Sequence, residues 1–280
     1  MGRRCGVLGD PIAHSLSPVL HRAGYAELGL DWEYDAHQVS SGGLPDFLAG
    51  LGPERPAWRG LSLTMPLKRE AVPLVDELTE RARLAGAVNT IVLEDDRLVG
   101  DNTDIPGAIA AIRERTTAPL ATAVILGGGA TATSIGLALA DLGVRRLEII
   151  ARSAERAFET VETIAAHPGR PEVTSRRLDE LTELAVDLVA STIPAAAQDA
   201  RLVAACSAVP ILFEVLYDPW PTPLAASAGD RVLVGGLDLL VHQAAVQFEL
   251  FTAKPAPVGV LRAAGQRALA ERVPTWTSQE

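Results

Sequence analysis

The sequence predicts an α/β protein built as two lobes. Three observations carry this: the length, a repeated alternation of short β-branched or aliphatic runs with amphipathic stretches, and one glycine-rich turn partway along the chain. At 280 residues the chain exceeds the usual size of one domain, roughly 100 to 200 residues. Apolar runs at residues 5–9, 32–39, 61–64, 89–93, 124–126, 147–151, 186–191, 211–216 and 232–234 predict strands. Strand followed by helix, repeated, predicts mostly parallel sheets covered by helices. Apolar spacings of three and four predict one helix through Val19, Leu20, Ala23, Ala26 and Leu28 and another through Ile135, Leu137, Leu139 and Leu142. Ser17 before Pro18 reads as an N-cap with proline in the first helical position, and Gly143 ends the second helix.

No internal repeat or low-complexity linker marks a boundary, so the domains are placed from motifs. A nucleotide-binding signature begins near Val124, which leaves residues up to about Thr103 as a first lobe. The last helices, from about Leu237, contain no further strand and are expected to return to that lobe. The expected division is 1–103 with 238–280, and 104–237.

Composition narrows the function classes. No uninterrupted apolar run approaches the roughly 18 residues of a membrane span. Gly6 stands where a myristoylation signal needs Ser or Thr, and Asp10, Pro11 and His14 interrupt any signal-peptide core, so a cytoplasmic location is expected. Cys5 and Cys206 match no metal-knuckle or redox spacing and read as reduced core thiols. A net charge of −10 argues against a nucleic-acid partner, while leaving room for a local site that holds a small anion.

The segment from Ala123 to Thr133 runs strand, glycine turn, helix. Gly127, Gly129 and Ala132 fit Gly-x-Gly-x-x-Gly/Ala, in which absent side chains let a pyrophosphate approach backbone N–H groups at a helix N-terminus. A Rossmann-type domain is therefore expected, with Gly128 and Ala130 in the same cradle. The next predicted strand ends without the acidic residue that would hold the ribose of NAD. It ends in Arg152 and Ser153, with Arg156 one turn on, and guanidinium groups suit the 2′-phosphate of NADP. The plain alternative for these arginines is a solvated helix start.

Four polar clusters mark the first lobe: Gly9-Asp-Pro-Ile-Ala-His-Ser-Leu-Ser-Pro, Gly60-Leu-Ser-Leu-Thr-Met-Pro-Leu-Lys, Gly86-Ala-Val-Asn-Thr and Gly100-Asp-Asn-Thr-Asp. Each sits where a predicted strand meets a loop or helix, and such strand ends converge on the ligand crevice of open α/β sheets. With the glycine loop, Tyr217-Asp-Pro-Trp-Pro-Thr-Pro-Leu and Gly236-Leu-Asp-Leu-Leu-Val-His-Gln, the chain resembles the shikimate dehydrogenase family over nearly its whole length.

The resemblance implies NADP-dependent, reversible reduction of 3-dehydroshikimate to shikimate, with an N-terminal α/β substrate-binding domain, a Rossmann-type NADP-binding domain and C-terminal helices returning to the first domain. It implies Lys68 and Asp104 as the catalytic pair. Ser15 and Ser17 would hold the substrate carboxylate, and Thr64, Asn89, Tyr217 and Gln243 would contact substrate. Thr192, Gly236 and Leu239 join the cofactor set. A helix cap alone is the other reading for Ser17, a turn residue for Asn89, and a solvated charge for any lone Lys or Asp. No metal is implied, and His14 and His21 read as structural rather than as ligands. The partner is a small molecule, and the protein is expected as a monomer or homodimer.

Several positions depart from the family pattern. Ser62 stands where Asn is usual, Arg22 follows His21 where Asn is common, Leu239 replaces Met, and Asp218 follows Tyr217 where Asn is frequent. Quinate or aminoshikimate dehydrogenase on the same scaffold is the alternative enzyme. A nucleotide sensor would have no need of Lys68 and Asp104, and a folate-type dehydrogenase would not require Ser15 and Ser17.

Overall fold

The computed structural model describes residues 2–52, 57–94 and 97–272, without the side chains of residues 154 and 156. Two compact units divide the chain: Met1–Gly107 with Leu240–Leu269, and Ala108–Leu239 with the described residues after Leu269.

The first unit holds a six-stranded sheet of β1 (Arg3–Gly9), β2 (Trp32–Gln38), β3 (Trp58–Leu63), β4 (Glu77–Leu78), β5 (Thr90–Glu94) and β6 (Arg97–Asp101). Its order is β2-β1-β3-β5-β6-β4. The pairing is mostly parallel, as expected, with β1–β2, β1–β3 and β4–β6 parallel, while β5 runs antiparallel to both β3 and β6. Only two residues separate β5 from β6, far fewer than the dozen or so that a parallel crossover needs. Reversal at β5 brings its amino end, beside Asn89, to the edge where β1, β3 and β6 present their carboxyl ends.

Helix α1 (Ser17–Glu27) follows the first polar cluster. Ser17 is not its cap: Leu16 holds that place without a side-chain cap, and Ser15 Oγ accepts from the Ser17 N–H at 3.3 Å. The inward face is also not the expected one. Leu20, His21, Gly24 and Tyr25 are buried, whereas Val19 and Leu28 are exposed. A hydrophobicity pattern misses this face because two of its members are a histidine and a glycine.

Gly24 is needed for packing. A Cβ there would lie 2.8 Å from Phe248, on α10 (Gly236–Thr252). The Gly60 Cβ position is likewise taken by the ring of Phe251, and that of Gly107, on α5 (Asp104–Arg115), lies 2.7 Å from Gln243 Cβ. Three glycines thus let α10, from Gln243 to Phe251, sit directly against α1, β3 and α5. Around this contact Cys5, Val7, Tyr25, Tyr34, Phe248 and Phe251 form one core, and Leu8, Leu61, Leu63, Leu67 and Ile91 belong to another on the same sheet.

The second unit is a parallel sheet of β7 (Thr122–Leu126), β8 (Arg146–Ala151), β9 (Glu172–Arg177), β10 (Leu188–Ser191), β11 (Ile211–Glu214) and β12 (Val232–Val234). Its order is β12-β11-β10-β7-β8-β9, the doubly wound arrangement in which chain direction reverses between the first and fourth strands. Helix α6 (Ala130–Asp141) follows β7 and is buried from Ala132 to Ala140, as a helix covering a sheet centre must be; Gly143 follows it with φ +95°. Strands β4, β6 and β9 escaped the apolar-run search. β4 has only two residues, and β9 reads Glu-Val-Thr-Ser-Arg-Arg because it is a half-wet edge strand. Cys5 and Cys206 are free and buried, and burial pushes their thiols up, to about 12 and about 11.

Candidate functional site

The residues expected to be catalytic lie on α3 (Leu67–Glu70) and at the start of α5. Lys68 Nζ donates to Asp104 Oδ2 at 2.5 Å, and both side chains are nearly buried, 12% and 7% exposed. Two opposite charges removed from water to this degree persist because each satisfies the other. The other carboxylate oxygen, Oδ1, accepts from Asn89 Nδ2 at 2.9 Å. Asn89 is in turn held by backbone, its carbonyl accepting from Leu63 N at 2.7 Å and its N–H donating to Asp101 O at 3.0 Å. Val88 N donates to Lys68 O at 2.7 Å, so the lysine and the amide are tied to one another through main chain as well.

Thr64 lies one turn before Lys68 at the end of β3, its carbonyl accepting from Leu67 N at 2.9 Å. Ser15 and the buried Ser17 lie on the segment that follows β1, and Thr64 N reaches across to Leu8 O at 2.9 Å at the same edge. Gln243 comes from α10: its Oε1 stands 3.4 Å from both Asn89 Nδ2 and Thr103 Oγ1. Gly107 permits that approach. Lys68, Asp104, Asn89, Thr64 and Gln243, together with the two serines, therefore belong to one unit. Tyr217 does not; it lies in the second unit, after β11, and the structure does not group it with the other residues expected to contact substrate.

Several residues of this site were not singled out from sequence. Thr103 donates its N–H to Asn89 Oδ1 at 2.7 Å. Arg81 makes a bidentate pair with buried Asp101, which also accepts from Thr79 Oγ1 at 2.7 Å and Asn102 N at 2.7 Å. Burial pushes the Asp101 carboxyl up, but the Arg81 and Thr79 bonds outweigh it and hold the group below the usual carboxylate range. The signal for Thr103 lay beside Asp104 in a cluster already marked, and that for Asp101 in the same cluster; Arg81 had none. His21 packs flat on Tyr34 at 4.2 Å, with Tyr25, Phe248 and Phe251 around it, and burial pulls its imidazole down to about 3. Nearby Gln247 offsets this in part without making a hydrogen bond of good geometry.

In the second unit the expected cofactor residues line the carboxyl edge of the sheet. Gly127 has φ +120°, and a Cβ there would collide with Thr192 Oγ1, so only glycine fits. A Cβ on Gly129 would meet nothing within 4 Å. Gly129 caps α6 with no side-chain cap, and the first helical N–H with a carbonyl partner is Thr133 N, on Gly129 O at 3.0 Å, as at any helix start. Such a cradle fits a pyrophosphate. Gly128 lies between the two. Gly127 N donates to Ile150 O at 2.8 Å, which sets the glycine turn beside the end of β8, where exposed Arg152 and half-buried Ser153 follow. On the other side Thr192 donates both N–H and Oγ1 to Leu126 O, each at 2.9 Å. Gly236 packs its Cα directly on the Leu216 backbone, and Leu239 is buried on the first turns of α10. Arg156 has its side chain outside the described residues.

Sequence reasoning also missed Glu214. It is wholly buried at the end of β11 and accepts from Gln198 Nε2 at 2.7 Å, Thr222 Oγ1 at 2.8 Å and Leu216 N at 3.1 Å, which pins the chain just before Tyr217. Burial pushes its carboxyl up.

Comparison with known proteins matches residues 7–91 to the shikimate dehydrogenase substrate binding domain and residues 236–264 to the shikimate 5′-dehydrogenase C-terminal domain. The chain is 34% identical over 275 residues to the NADP(+) shikimate dehydrogenase of Desulfitobacterium hafniense, covering 96% of this chain and 100% of that protein. Among solved structures it is similar to Mycobacterium tuberculosis shikimate dehydrogenase, at 37% identity and TM-score 0.85, covering 95% and 99% of the two chains. It is also similar to Corynebacterium glutamicum quinate dehydrogenase in complex with NAD, at 26% identity and TM-score 0.86, with the same coverage.

Proposed function

Because the chain belongs to the shikimate dehydrogenase family, we propose that Lys68 and Asp104 are the proton-transfer pair of its reversible, NADP-dependent reduction of 3-dehydroshikimate to shikimate. The observation that carries this assignment is the near-buried 2.5 Å contact between Lys68 Nζ and Asp104 Oδ2, with Asn89 on the second carboxylate oxygen. Bound NADPH supplies a hydride to the carbonyl carbon. As charge develops on the carbonyl oxygen, the Lys68 ammonium gives it a proton, and Asp104 holds the ammonium in line. Ser15 and Ser17 donate hydroxyl hydrogens to the substrate carboxylate, and Thr64, Asn89 and Gln243 supply neutral groups that both donate and accept, as a polyol requires.

The substrate is assigned to the first unit and the cofactor to the second. Gly127, Gly128, Gly129 and Ala130 hold the pyrophosphate, Arg152 with Ser153 and Arg156 the 2′-phosphate, and Thr192, Gly236 and Leu239 the nicotinamide end, with Tyr217 kept as a substrate contact. The protein is assigned to the cytoplasm, as a monomer or homodimer; its two buried free cysteines fit a reducing compartment.

Single-turnover oxidation of shikimate by folded Lys68→Ala at saturating NADP tests the pair, with a loss on the order of 10² to 10⁴ expected for removal of a positioned acid or base. A chemical step within a few-fold of the parent would make Lys68 a binding residue only. Quinate is the second reading, favoured by the likeness to the C. glutamicum enzyme, and steady-state rates with shikimate and quinate decide between them.

A further inference from the structure

A hydrogen-bonded chain runs through the first unit from the aromatic core to the Lys68–Asp104 pair. Tyr34 Oη donates to Ser62 Oγ at 2.6 Å, and Ser62 Oγ to Gln247 Oε1 at 2.8 Å. Gln247 Nε2 donates to Thr90 Oγ1 at 2.9 Å, and Thr90 Oγ1 to Asn89 Oδ1 at 2.8 Å. Asn89 Nδ2 then reaches Asp104 Oδ1 at 2.9 Å. All of these groups are buried.

The direction of each bond is set by two main-chain groups. An amide side chain can face either way, but a backbone carbonyl only accepts and a backbone N–H only donates. Asn89 O lies 3.3 Å from Gln247, so Nε2 must face it and Oε1 must face Ser62. Ser62 then has its proton committed to Gln247 and can only accept from Tyr34. At the other end Thr103 N lies 2.7 Å from Asn89, so Oδ1 must face it and Nδ2 must face Asp104. Thr90 has one proton, and Asn89 Oδ1 at 2.8 Å takes it in preference to Thr103 Oγ1 at 3.2 Å. Every donor on the chain therefore points toward the Asp104 carboxylate.

We propose that Thr90 and Gln247 are positioning residues that, together with the Thr103 N–H, lock the Asn89 amide with its N–H on Asp104, so that Asp104 acts only as an acceptor and the transferable proton stays on Lys68. Neither residue needs to touch substrate. Gln247 reaches the chain because Phe248 and Phe251 seat α10 against Gly24 and Gly60. Ser62, where the family pattern has Asn, is the anchor that holds Gln247 Oε1.

This inference rests on the assignment of Lys68 and Asp104 as the proton-transfer pair, and the test separates the two. Thr90→Val keeps the shape and removes the hydroxyl, so kcat for 3-dehydroshikimate reduction should fall about three- to tenfold, the worth of one hydrogen bond. KM for NADPH should stay within twofold, and Thr90→Ser should restore kcat to within twofold of the parent. A parent-like kcat in Thr90→Val, or an equal loss in Thr90→Ser, overturns the proposal. Should Thr90→Val fail to give a cooperative thermal transition, Gln247→Met removes the donor that orients the Thr90 hydroxyl and must lower kcat with unchanged KM for NADPH, or the proposal fails. Asp104→Asn is measured alongside: if it leaves kcat unchanged, the underlying pair assignment fails, whereas loss in Asp104→Asn alone refutes only the positioning role.

Discussion

Replacing Gly107 with alanine tests how the site is held together. The added Cβ would lie 2.7 Å from Gln243 Cβ, 2.8 Å from its N and 2.9 Å from its Cα. Carbon atoms settle at roughly 3.5 to 4.0 Å, so α10 must retreat by about 0.8 to 1.3 Å; the obstacle is helix backbone, not a side chain that can swing aside. Overpacking of this kind costs about 1 to 3 kcal/mol, and removing a helical glycine returns about 1, which leaves a net destabilisation of about 0 to 2 kcal/mol. Activity should respond more than stability. Gln243 Oε1 already sits at 3.4 Å from Asn89 and Thr103, and a further ångström ends both contacts. Misplacement by that distance can cost about a hundredfold, so kcat/KM for shikimate should fall by about ten- to a hundredfold while Tm drops by no more than about 4 to 8 °C. The assay is steady-state shikimate oxidation at saturating NADP beside a thermal melt. A variant with a lowered Tm and kcat/KM within threefold of the parent would show that Gln243 need not be where α10 holds it, and its place among the substrate contacts would be withdrawn.

Other perturbations separate the remaining assignments. Arg152→Ala should lower efficiency with NADP by about ten- to a hundredfold and leave NAD nearly unchanged, since a hydrogen bond to a charged group is worth about 1.5 to 3 kcal/mol; equal losses with both cofactors would refute the 2′-phosphate contact. Because no side-chain cap rests on Ser17, Ser17→Ala should weaken shikimate turnover without lowering Tm, and a variant that melts early with normal kinetics would reverse that reading. Arg81→Met should cost about 2 to 3 kcal/mol near neutral pH by leaving buried Asp101 with only the neutral donors Thr79 and Asn102. The Asp101 carboxyl is held below its ordinary value, so the stabilisation is present above the unfolded carboxylate range and disappears as pH falls through the folded one. Parent and variant melts should therefore converge in acid, and a gap that widens there would contradict the ion-pair account.

Much of this architecture was legible locally. The glycine turn showed itself because Gly127 adopts a backbone conformation that side chains rarely take, and a strand before it and a helix after it supplied the required context. Central strands such as β7 and β10 are buried on both faces and so appear as continuous apolar runs. Edge strands do not, which hid β9, and a short connection rather than any composition reversed β5. The inward face of α1 was misread because a histidine among aromatic rings carries no apolar signature. Lys68, Asp104 and Asn89 were marked one by one, each in its own cluster.

The sequence by itself determined which residue types stand at each strand end, that a glycine turn follows the first strand of one parallel sheet, and that two arginines rather than an acid follow its second strand. These are properties of short stretches of chain, and short-range rules of turn, cap and periodicity reach them. Only the tertiary structure decided that Gln247 and Ser62, 185 positions apart, share a proton, that Arg81 holds Asp101, and that Gln243 enters the site through a gap left by Gly107. Such pairings depend on how close two backbones come and on which hydrogen each buried group has left to give. Neither quantity exists until the chain has folded.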